Sequence, residues 1–111
     1  MHLPVRIKFV GLRPTEPLRE AVRAEAVQLE KYGHLFRECE VSVESWRLHQ
    51  RQGTQFRVAI EVDLGEPPMA VSRSSRIDAP RDELLTTLQE AFDALARRLA
   101  AVQATNQLAH A

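Results

Sequence analysis

The chain has 111 residues, a length that suits one domain with one core and little beyond it. Lys plus Arg equals Asp plus Glu, 15 against 15, which argues against a generic nucleic-acid binder, since such proteins are usually basic overall. One cysteine, Cys39, excludes a disulfide framework and a cysteine-based zinc site, and no apolar run approaches the ~18 residues of a membrane span.

Leu3 to Val10 alternates, with Val5, Ile7 and Phe9 facing one way and Arg6 and Lys8 the other, which predicts a half-buried first strand. Gly11 and Pro14 break it. Thr15 is a suitable N-cap, and Pro17 is tolerated in a first turn, so a helix is expected from Glu16 to Tyr32. Its apolar stripe is Leu18, Ala21, Val22, Ala26 and Leu29, with Gly33 as the residue just past its end.

Glu38 to Trp46 alternates again, and the phase places Cys39 with Val41 and Val43 as a small buried hydrophobe. Residues 47–53 read as a polar, basic turn. Thr54 to Leu64 is the strongest strand pattern, with Phe56, Val58, Ile60, Val62 and Leu64 inward. After Gly65, Pro67 and Pro68, a short strand is expected over Met69 to Arg73. The longest helical pattern runs from Asp82 to Gln103. Leu84, Leu85, Leu88, Ala91, Phe92, Leu95, Leu99 and Val102 form its stripe, and its charges suit the helix dipole. Residues 105–111 read as a frayed tail, leaving residues 1–104 as a single domain.

The order β-α-β-β-β-α predicts an α+β two-layer sandwich. A four-stranded sheet carries both helices on one face, and the other face is open and charged. The four histidines, His2, His34, His49 and His110, have no metal-ligand spacing and read as surface residues. Ser72, Ser74 and Ser75 have no glycine elbow beside them. Glu40, Glu44, Glu61 and Asp63 are the ordinary carboxylates of a solvated sheet face, so no enzyme and no cofactor is expected.

The basic residues carry more information. Residues 1–37 hold seven basic and four acidic side chains, whereas residues 38–66 hold three and six. Arg19 and Arg23 are one helical turn apart, Lys31 lies further along, and Arg97 and Arg98 stand near the end of the last helix. Together they predict a shallow patch suited to phosphates. A solvated face offset by Glu16, Glu20 and Glu30 is the alternative.

The strings TEPLREAV, QLEKY and EAFDALARRL, in this order and spacing, resemble those of the ribosome hibernation-promoting factor family, whose members are also called ribosome-associated inhibitors and sigma-54 modulation proteins. MAVSR resembles a fourth strand of that family. The resemblance covers about residues 4–103 and implies a fold similar to double-stranded-RNA-binding domains. It also implies a non-enzymatic role: occupying the mRNA and tRNA channel of the small ribosomal subunit, contacting its rRNA, and silencing translation under stress in the cytoplasm. Neither a membrane nor a small-molecule substrate is implied. Arg19, Lys31, Arg97 and Arg73 match basic positions of the family, while Glu25, Gln28, Ala94 and Ala101 stand where it usually has more Lys and Arg. A protein-interaction module with weakened or lost ribosome binding is the alternative.

Overall fold

A computed structural model describes residues 5–47, 54–65, 68–76, 79–80 and 82–109. The start expected at Leu3, most of the basic turn (48–53), Pro67, Asp78 and three histidines (His2, His49 and His110) lie outside them.

The strands are β1 (Val5–Val10), β2 (Cys39–Arg47), β3 (Thr54–Val62) and β4 (Met69–Ser74), and the helices are α1 (Glu16–Ala26) and α2 (Glu83–Ala109). The four strands form one sheet in the order β1-β2-β3-β4. β1 runs parallel to β2, because α1 and the segment after it carry the chain back before β2 begins, whereas β2, β3 and β4 form the expected antiparallel meander. Register follows the alternating pattern: Cys39, Val41 and Val43 stand opposite Val62, Ile60 and Val58, and all six are buried under the helices. The two-layer α+β architecture is the expected one.

Thr15 caps α1 with extended backbone and a side chain that accepts from the Leu18 N–H at 3.3 Å. The helix is shorter than expected. It gives way at Val27 to a 3₁₀ segment, Val27–Leu35, which contains Gly33 within it rather than beyond it. The apolar residues Ala26, Leu29, Tyr32 and Leu35 recur every third position, and a 3₁₀ helix aligns such residues on one side. In an α-helix the same set would drift around the axis.

α2 extends past Gln103 to Ala109. No Gly or Pro interrupts this run, so the backbone continues as a helix through residues expected to form the tail, although side chains 104–108 are exposed. Its buried face is also rotated relative to the predicted stripe. Leu88, Ala91, Phe92, Leu95 and Leu99 are buried as expected, but Leu85 is 47% exposed, and Thr87 and Ala94 are buried instead. The Thr87 hydroxyl is accommodated there by donating to the Glu83 carbonyl at 2.7 Å.

Candidate nucleic-acid interface

Three arginines without an ion pair among the described residues, Arg73, Arg97 and Arg98, meet where α2 passes the outer edge of β4. Arg73 stands opposite Val58 in register, so its side chain leaves the sheet on the helical side. Ala94, Arg97, Arg98 and Ala101 follow the i, i+3, i+4, i+7 spacing and present one face of α2 to the same place. The result is a groove of about 540 Å³, lined by Ala70, Val71, Ser72, Arg73 and those four residues. Among the described residues, three guanidiniums line it and no carboxylate does. The small side chains of Ala94 and Ala101 keep it open.

Two of the three arginines are held by backbone. Arg98 Nη1 donates to the Ala70 carbonyl at 2.7 Å, and Arg73 Nη1 donates to the Ser72 carbonyl at 2.8 Å. A guanidinium has five N–H donors, so each keeps several for a ligand. Paired, fork-shaped donors match phosphate oxygens.

The remaining predicted residues lie elsewhere. Arg19 is half-buried with its guanidinium 5.8 Å from the ring centre of Phe9 in β1, the opposite edge strand. Arg23 pairs with Glu16 at 3.3 Å and, with Val5, lines a recess on the β1 side. Lys31 stacks over the ring of its neighbour Tyr32 at 5.3 Å. The basic residues thus form a convergent set, Arg73, Arg97 and Arg98, and a β1-side set containing Arg19 and Arg23. Between the helices lies a carboxylate pair. Partial burial raises the pKa of Glu25, and the charge of Asp93 raises it further, while Gln28 Nε2 donates to Glu25 Oε1 at 3.2 Å.

The open sheet face carries no such imbalance. Arg6, Lys8 and Arg57 share it with Glu40, Glu44 and Glu61, and Arg57 pairs with Glu44 at 3.4 Å. Glu40 and Glu61 stand directly opposite each other. Ser75 is buried with its hydroxyl in structural use: it accepts from the Phe56 N–H at 2.8 Å and donates to the Arg76 carbonyl at 3.0 Å. Sequence reading names Arg73, Arg97 and Arg98 all as candidate RNA contacts, Arg73 through the family resemblance, but not their convergence on one groove. Its one local trace is the Ala94/Arg97/Arg98/Ala101 spacing.

A family model described as sigma 54 modulation protein / S30EA ribosomal protein matches residues 5–105. The chain belongs to this family. The family is ribosome-associated. Among solved structures, the fold is similar to that of a ribosomal subunit interface protein from Coxiella burnetii, at 14% identity and a TM-score of 0.69. That match covers 94% of this chain and 99% of that one. It is also similar to the N-terminal domain of Protein Y from Thermus thermophilus, at 22% identity and a TM-score of 0.61, covering 89% and 96% of the two chains. At these identities the likeness establishes the fold. No curated protein matches. Among the described residues, no helix is long and apolar enough to cross a membrane.

Proposed function

We propose that this family member binds the small ribosomal subunit by holding rRNA phosphates. Lying in the mRNA and tRNA channel, it silences translation under stress in the cytoplasm. The observation that carries this reading is the convergence of Arg73, Arg97 and Arg98 on one groove that no carboxylate lines among the described residues. No cofactor enters the mechanism. The groove takes the phosphate backbone, and the bulk of the domain excludes other ligands from the channel. Arg19, Arg23 and Lys31 supply a second, weaker set of contacts, since Arg23 must leave Glu16 to reach a phosphate.

Charge sets the strength. The three groove contacts alone give log K against log salt a slope of only about −2 to −3, and full engagement of the second set would steepen it to about −4 to −5. Sedimentation of the protein with purified small subunits across a salt series tests this. Pelleting at low salt that fades with a shallow slope is expected. The competing reading, a protein-interaction module that has lost ribosome binding, draws on the Glu25 and Asp93 carboxylates between the helices. It predicts no pelleting at any salt concentration.

A further inference from the structure

Among the described residues, β4 is an outer strand whose one sheet neighbour is β3. The hydrogen bond from the Ser75 N–H to the Phe56 carbonyl, 2.8 Å, sets the parity of that pair. Backbone groups of Ser75, Arg73 and Val71 turn towards β3, and those of Ser74, Ser72 and Ala70 turn outward. An outward row of this kind is a template on which another strand can pair. The side chains of Ala70, Ser72 and Ser74 on the open face are too small to obstruct one.

Two of the three outward carbonyls are occupied. Arg98 crosses from α2 to Ala70, and Arg73 turns back to Ser72, at 2.7 and 2.8 Å. Two guanidiniums therefore lie along the line an added strand would take. We propose that Arg73 and Arg98 lock the β4 edge and keep it from pairing with β4 of a second copy of this chain.

The second copy is the relevant intruder because this edge is self-complementary. Antiparallel pairing about Ser72 sets Ser72 against its equivalent and Ala70 against Ser74, which closes a two-fold dimer. In the intact protein such pairing must displace both guanidiniums from their carbonyls. It must also bring Arg73, Arg97 and Arg98 of each copy close to those of the other. The hydrogen bonds are exposed, so each contributes little to stability. Their effect is on the competition for the edge. This lock does not depend on ribosome binding.

The test is sedimentation velocity over a concentration series with wild type, Arg97→Ala and the double variant Arg73→Ala/Arg98→Ala. Wild type and Arg97→Ala should stay monomeric, since Arg97 makes no edge bond among the described residues. The double variant should dimerise at a concentration at least roughly tenfold lower than wild type. Adding Ser72→Pro to the double variant removes an outward N–H that an edge strand can lose without breaking its own sheet, and should restore the monomer. A folded double variant that stays as monomeric as wild type overturns the proposal, and so does association that Ser72→Pro leaves intact. If circular dichroism shows the double variant unfolded, Arg98→Ala alone is measured, and the same outcomes decide.

Discussion

Gly11 packs so closely against the backbone of Ser45 that a Cβ at position 11 would overlap the Ser45 carbonyl oxygen. Its φ is +78°, a conformation that L side chains rarely adopt. The turn leaving β1 therefore runs tightly alongside β2. Gly11→Ala should cost roughly 2–4 kcal/mol, from backbone strain and from displacement of β2. Urea denaturation measures this, and a loss below about 1 kcal/mol would mean that the turn adapts freely.

A second prediction separates two residues of the predicted α2 stripe. Phe92 is fully buried in the cluster that contains Phe56, Val58 and Ile60, whereas Leu85 is 47% exposed. Phe92→Ala should destabilise by about 3–5 kcal/mol. Leu85→Ala should stay within about 0.5 kcal/mol of wild type. Thermal melts of the two variants should differ widely, and equal shifts would place the helix face wrongly.

Cys39 offers a chemical probe of the same core. It is 1% exposed, and burial pushes its thiol pKa up to about 12. The thiolate is the reactive form, so a maleimide or disulfide reagent at neutral pH should label the native protein slowly and the denatured chain fast. Comparable rates in the two states would show that the β2 core opens readily.

Glu25 predicts a pH dependence. Burial first, and Asp93 second, raise its folded pKa above the ordinary 4.5. In the window between the ordinary value and the raised one, the folded state binds more protons than the unfolded state. Stability therefore falls as pH rises through this window. Glu25→Gln keeps an acceptor for Gln28 and removes the charge. It should be more stable than wild type at neutral pH, and the difference should vanish as pH falls to the ordinary carboxylate range. Denaturation of both proteins at pH 4 and pH 7 reads this out; a variant less stable than wild type at pH 7 contradicts it.

Local periodicity made most of the fold legible. Val41 and Val43, and Val58, Ile60 and Val62, alternate so strictly that a one-residue slip would bury the polar set. What was not legible depends on where elements meet. The side-chain pattern places Leu85 and Leu84 equally on an apolar stripe, and packing against the sheet decides between them. The end of α1 is not legible because Leu29 fits both a period of 3.6 and a period of three. The candidate site divides in the same way. Arg97 and Arg98 were legible as helix neighbours, but their meeting with Arg73 depends on the pairing of β4 with β3 and on the side from which α2 crosses. The proximity of Glu25 to Asp93, 68 positions apart, has no local signal at all.

The most direct measurement is sedimentation of purified small subunits with wild type and with Arg97→Glu, at low salt and then across a salt series. Arg97 is the informative position because it lines the groove without an edge bond among the described residues, so its reversal should leave folding within about 0.5 kcal/mol of wild type. Wild type should pellet at low salt, its binding should weaken with a shallow salt slope, and Arg97→Glu should bind at least roughly tenfold more weakly. Equal pelleting of the two proteins would contradict the groove as the phosphate site. No pelleting of wild type, even at the lowest salt, would contradict ribosome binding itself.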